Sequence, residues 1–168
     1  MAPRLISLPL TLVVVMPVAN MNALPHIQQA TLDIKLWWRE NVGIRIQPIV
    51  VGAESFLAPT GLFLADLQKL HYWTVRARSP TVYIWPEHAR VGTNADSLGE
   101  AFGNDIAIAA GNVLLPGGES MLDEIVTHEL GHLLGLAHEE STFMAAALEL
   151  HNRVVTPEQR KILRAGAA

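Results

Sequence analysis

Along the chain the first clear pattern is an unbroken apolar run, Thr11-Leu-Val-Val-Val-Met16. A run without polar alternation, rich in β-branched residues, predicts a strand covered on both faces of a sheet. Behind Pro25, the positions Ile27, Ala30, Ile34, Trp37, Trp38 and Asn41 recur at helical spacing, and Gly43 is the natural stop. Apart from Asn41 these side chains are expected to pack on the sheet, with the two Trp as core and not as a recognition box. Ile44-Arg-Ile-Gln47 reads as a strand that Pro48 moves toward a sheet edge. The opening is therefore strand, helix, strand.

A further helix is expected from Leu62 to Trp73, with Phe63, Leu67 and Leu70 on one face, covering the sheet or shaping a cleft. Thr81 to Trp85 is another strand, followed by a polar connection from Pro86 to Ser97. Gly99 to Phe102 and Asp105 to Ala109 form a glycine-bounded hairpin, and Gly111 to Gly118 is a glycine and proline cluster. The next helix is expected to open on a capping box of Ser120 and Asp123 and to run to about Gly135. Thr156, Pro157 and Gln159 announce a terminal helix with Thr as cap, and Glu158, Gln159 and Lys161 are assigned to its solvated face.

Composition adds limits. The chain has 168 residues, 50% of them hydrophobic, enough for one domain over residues 1–168. A formal charge of −4 without a Lys/Arg block argues against nucleic acid and anionic membrane surfaces as partners. No cysteine is present, so neither a disulfide nor a thiolate ligand is available, and the redox compartment stays open. Arg4 followed by the apolar stretch Leu5 to Ala19 also has the dimensions of a secretory signal ending at Ala19. It is too short and too interrupted by Pro to span a bilayer comfortably. The strand is preferred because a helix and a second strand follow at once. Neither oligomeric state nor localisation follows.

The candidate chemistry lies in His128-Glu-Leu-Gly-His132-Leu-Leu-Gly135-Leu-Ala-His138, with Met144 six positions later. A helix turns about 100° per residue, so His128 and His132 share a face one turn apart and two imidazole nitrogens can reach one ion. Glu129 falls within the same arc, close enough to act as a general base on a water and angled away from ligation. At Gly135 the helix can stop in a left-handed conformation that costs Gly nothing. His138 can then return as a third ligand, leaving the fourth tetrahedral position open, as in catalytic zinc sites. Two His four apart are often only surface or packing residues, but the added Gly, third His and downstream Met shift the balance to a metal centre. Isolated His26, His71, His88 and His151 lack ligand spacing.

This motif resembles that of the metzincin clan of zinc endopeptidases, and most nearly its matrixin-like members. The resemblance implies an α+β, zincin-like fold: a twisted mixed five-stranded sheet packed by helices, with an active-site helix and a C-terminal helix. It divides the domain into an upper part, about 1–135, and a lower part, about 136–168. It implies one catalytic Zn2+ on His128, His132 and His138, with Glu129 as base and proton shuttle. Gly135 supports the site by turning the chain, and Met144 forms its hydrophobic floor. Upstream, Leu98 to Ala109 is similar to the clan's antiparallel edge strand and last sheet strand. The backbone of Gly99, Glu100, Ala101 and Phe102 would then pair with a peptide or protein substrate in extended form, and Ala145 to Leu150 would form one wall of the pocket just beyond the scissile bond. No Tyr follows Met144, so oxyanion stabilisation from that position is excluded, and the matrixin-type second zinc site is not recognisable. The expected function is a zinc-dependent endopeptidase; the alternative is a zinc-stabilised binding module of the same fold that does not cleave.

Overall fold

The computed structural model describes residues 5–16, 24–54, 79–85, 98–109, 121–146 and 153–168. The expected helix from Leu62 to Trp73, the connections at 86–97 and 111–118, the wall residues 147–150, and His71, His88 and His151 lie outside them. In chain order the elements are β1 (Ile6–Met16), α1 (Leu24–Trp37), β2 (Ile44–Glu54), β3 (Thr81–Trp85), β4 (Gly99–Phe102), β5 (Asp105–Ala109), α2 (Leu122–Leu133) and α3 (Pro157–Gly166).

The five strands form one mixed sheet in the order β2-β1-β3-β5-β4. β1 runs parallel to β2 and β3, β3 parallel to β5, and β4 antiparallel to β5. The apolar run of β1 thus sits inside the sheet, as its lack of alternation requires: Leu10, Thr11, Leu12 and Val13 are all buried. β1 begins earlier than its apolar run, at Ile6, and includes Pro9. Pairing with β3 covers only Thr11 to Val14, so Pro9 lies where β1 has one neighbour, the situation that tolerates a missing N–H.

Registers align Leu12 with Val82, Val82 with Ile106 and Ile106 with Ala101, so one face of the sheet presents a continuous apolar row. Ile27, Ile34 and Trp38 before β2, and Ile125, Val126 and Leu130 of α2, share one core cluster with that row. Each such side chain, fully buried, contributes roughly 1.5–3 kcal/mol relative to exposure. On the other face Thr11, Val13, Thr81, Tyr83 and Ala107 are buried as well.

Gly43 ends the first helix where its position predicts, but the last turn before it is not α-helical. The chain after α1 does not stop at once but widens into a π-helical turn, Trp38–Val42, closed by Gly43 at φ +77° with its N–H donating to Trp38 O at 3.0 Å. That turn buries Trp38 completely, and the Trp37 and Trp38 rings meet edge to face at 5.5 Å. Ser120, one half of the capping box expected before α2, lies outside the described residues; Met121 is the N-cap of α2, without a side-chain cap bond. Asp123 instead pairs with Arg153 at 2.7 Å, so a tertiary ion pair has taken the side chain that a local cap would need. Burial pushes the Asp123 carboxyl above its usual range, against the pull of Arg153.

α3 has the expected capping box, with Thr156 Oγ1 accepting from the Gln159 N–H and Gln159 Oε1 accepting from the Thr156 N–H. It binds the exposed carbonyls at the end of the π turn. Arg160 Nε donates to Asn41 O at 2.8 Å, and Arg164 Nη1 donates to Gly43 O at 2.8 Å and to Val42 O at 3.4 Å. Cations belong at such a terminus, where carbonyls lack helical partners. Among the described residues no helix is long and apolar enough to cross a membrane. Arg164→Ala should therefore lower the unfolding free energy by about 1–2 kcal/mol, the scale for charge-assisted hydrogen bonds, read from urea midpoints at constant slope; a change below a few tenths would mean that α3 is held by Leu163 and its neighbours alone.

Candidate metal centre

α2 carries His128, Glu129 and His132, and its end explains where His138 goes. The Gly135 N–H donates to His132 O and the Leu136 N–H to Gly131 O, each at 3.0 Å, while Gly135 takes φ +101°. This is the paired 5→2 and 6→1 closure of a helix that stops on a left-handed glycine. The chain turns back, and His138 comes to face the two helical imidazoles.

The Nε2 atoms of His128 and His132 are 3.1 Å apart, and those of His132 and His138 are 3.2 Å apart. Tetrahedral zinc with Zn–N of about 2.0–2.1 Å places its nitrogens about 3.3 Å apart, so the donor set fits that ion. His128 Nδ1 donates to Phe143 O at 3.0 Å, and His132 Nδ1 donates to Leu136 O at 2.9 Å. With the proton on Nδ1, the Nε2 atoms of His128 and His132 each present a lone pair to the other. These two neutral rings cannot hydrogen-bond to each other; a cation shared with His138 satisfies both. Protonation is disfavoured. Burial, with the neighbouring imidazoles adding to it, lowers the His128 pKa to about 4, and burial lowers that of His132 as well. Among the described residues these three His form the one group of ligand-type side chains close enough to hold a metal ion.

Glu129 is buried beside them. Its side chain passes over Gly99 of β4, where a Cβ would come within 2.8 Å of both Glu129 Cγ and Oε1. Its carboxylate accepts a hydrogen bond from the Ala101 N–H. Burial, followed by the charge of Glu100, raises its pKa to about 7, the backbone bond opposing them. β4 is the outer, antiparallel strand of the sheet, so Gly99 to Phe102 occupy a sheet edge next to the imidazoles. The side chain of Glu100 is exposed.

Met144 is fully buried against Gly131: a Cβ on Gly131 would overlap Met144 Sδ and lie 3.1 Å from Phe143 Cε2. Phe143 in turn packs on Trp37, with ring centroids 5.0 Å apart. The chain's return below the helix thus brings the Phe143 carbonyl to His128. Several of these supports are new relative to the motif: Gly131, Phe143, Thr142 and Gln159. Gly131 had a signal, since a glycine inside a helix costs about 1 kcal/mol relative to Ala and marks a close approach. Gln159 is a correction. The sequence puts it on a solvated face, yet it is 2% exposed, with its amide nitrogen donating to Glu139 Oε2 and Thr142 Oγ1. His26, by contrast, stands apart on α1.

Sheet, helices and their order define a zincin-like fold. An archaemetzincin from Methanopyrus kandleri matches with a TM-score of 0.70 at 18% identity, over 99% of this chain and 98% of that one. Metalloproteinase-II from Bacteroides fragilis matches with a TM-score of 0.62 at 14% identity, over 99% of this chain but 54% of its own. A chain in the structure of a chaperone-substrate complex matches with a TM-score of 0.59 at 14% identity, over 96% and 34%. At these identities the likeness establishes the fold. Neither a protein-family model nor a curated protein matches the sequence.

Gly131→Ala sets two effects against each other: a helical gain of up to about 1 kcal/mol and an overpacking cost of about 1–3 kcal/mol in a filled site. Net destabilisation of about 1–2 kcal/mol is expected in thermal or urea unfolding, relieved in a Met144→Ala background. Equal effects in both backgrounds would show that Met144 does not press on Gly131.

Proposed function

We propose that the chain is a metzincin-type zinc-dependent endopeptidase. The observation that carries this is the convergence of three imidazole Nε2 atoms, two of them held as lone-pair donors by Phe143 O and Leu136 O. His128, His132 and His138 hold one Zn2+. When bound, that ion supplies Lewis acidity, polarising a peptide carbonyl and lowering the pKa of water. The open side of the three-His set suits a catalytic centre.

Glu129 is the general base: a carboxylate oxygen takes a proton from water and later returns it to the departing amine. The Ala101 N–H fixes the orientation of that carboxylate, and Gly99 leaves the room it needs. The peptide lies extended along β4, where the backbone of Gly99, Glu100, Ala101 and Phe102 pairs with it as an added strand. Ala145, buried beyond Met144, begins the wall on the other side of the scissile bond. The names of the two peptidase neighbours support this reading. The finer matrixin-like assignment rests on the motif and the hairpin before the helix alone.

Purified protein should bind about one equivalent of zinc and generate new termini in an unfolded protein substrate, with a chelator abolishing both. Glu129→Gln should keep its zinc and lose about 100-fold or more in turnover, the scale for removing a general base; retained cleavage would remove Glu129 from the chemistry. His138→Ala should purify without zinc and bind added zinc only weakly through His128 and His132, and equal metal content in that variant would exclude it as a ligand. Bound zinc without cleavage of any member of a peptide library would favour the non-cleaving module.

A further inference from the structure

The three imidazoles are held by different means. His128 and His132 stand on α2 and have their Nδ1 atoms tied to carbonyls. His138 lies beyond the helix, is exposed, and has no carbonyl at Nδ1 among the described residues. Its place is therefore set by the backbone around it.

Glu139, the next residue, is bound at every polar group. Its N–H donates to Met144 O at 3.0 Å, its carbonyl accepts from Thr142 Oγ1 at 2.7 Å, and its Oε2 accepts from Gln159 Nε2 at 2.8 Å. The Thr142 hydroxyl also accepts from the Met144 N–H at 3.1 Å and from Gln159 Nε2 at 3.0 Å, so its proton and both lone pairs are used. Gln159 uses its amide nitrogen for both of these contacts, and its Oε1 accepts from the Thr156 N–H at 3.1 Å. Thr142 and Gln159 are 4% and 2% exposed, which keeps water from replacing these partners. Within the loop they tie, Ser141 adopts φ +62°, a conformation that costs a side-chain-bearing residue roughly 1–2 kcal/mol.

From this we infer that Gln159 is a positioning residue for the metal centre: through Glu139 and Thr142 it fixes the loop that presents His138, and so couples docking of α3 to metal affinity. The inference rests on the proposed metal-binding role of the three imidazoles. Without the amide, the loop between His138 and Met144 loses its only described side-chain ties to α3, and a metal must order that loop as it binds. His132 keeps its Leu136 carbonyl, and Phe143, whose carbonyl serves His128, keeps anchors that do not involve Gln159: its N–H donates to Val154 O and its ring packs on Trp37.

The test is the zinc affinity of metal-stripped protein, by competition with a chromophoric chelator, for the natural sequence, Gln159→Leu, His138→Ala and the double variant. Gln159→Leu should bind about 10–100-fold more weakly, the range for losing a residue that orients a ligand. In the His138→Ala background the same change should add nothing, because the ligand it acts through is gone. Unchanged affinity in Gln159→Leu, or an equal loss in both backgrounds, overturns the inference. If Gln159→Leu does not fold, Thr142→Val carries the same pair of outcomes. Failure of the natural sequence to bind zinc overturns the metal reading itself, a result distinct from natural protein and variant binding alike.

Discussion

Three imidazole Nε2 atoms lie together, 3.1 and 3.2 Å between neighbours, the first two with bare lone pairs that repel one another, and the chain that follows α2 is arranged around keeping them there. Helical spacing alone brings two of them to one face. It does not choose which nitrogen bears the proton. That choice is made by two backbone carbonyls, Phe143 O and Leu136 O, which take the Nδ1 protons and leave both Nε2 atoms bare. Burial then removes the other relief, protonation, by holding His128 and His132 below their usual range. A cation shared by the rings resolves the conflict at once, and this is why the arrangement argues for metal and not for a packed histidine cluster.

Both carbonyls come from chain that has already left the helix, so the site depends on how α2 ends. The left-handed Gly135 turns the chain, Leu136 is delivered to His132, and the segment returns under the helix so that Phe143 reaches His128. The return is close because Gly131 has no Cβ to keep Met144 away. Gly99 performs the same service on the opposite side, letting Glu129 lie against the sheet edge. Two glycines of unrelated local structure thus set the separation between α2 and the layers on either side of it.

Much of this was legible in advance, for physical reasons. The apolar run that opens at Thr11 lacks alternation where both faces of β1 are covered, from Leu10 to Val13, and the motif from His128 to His138 encodes its own geometry through helical period and glycine stop. Other features resisted. The π turn at Trp38–Val42 follows from tertiary packing of two adjacent Trp, which a 3.6-residue pattern cannot express. Asp123 looked like a cap because its partner Arg153 is distant in sequence. Gln159 looked like surface because a polar residue in the first turn of a helix usually is; its burial depends on Glu139 and Thr142, which only the folded chain brings near.

The balance between side-chain and backbone support has a consequence for how such a site can vary. Of the groups that hold the imidazoles and Glu129, Phe143 O, Leu136 O and the Ala101 N–H are main-chain atoms, indifferent to the side chain they carry. Demands on residue identity fall on the three His and Glu129, on glycines where another atom intrudes, and on Met144 beneath. The loop after His138 is the exception, since its ties run through side chains: Glu139, Thr142 and Gln159 exchange hydrogen bonds, and removing one of the buried pair Thr142 and Gln159 leaves the other with an unsatisfied group. Such a set changes together or not at all.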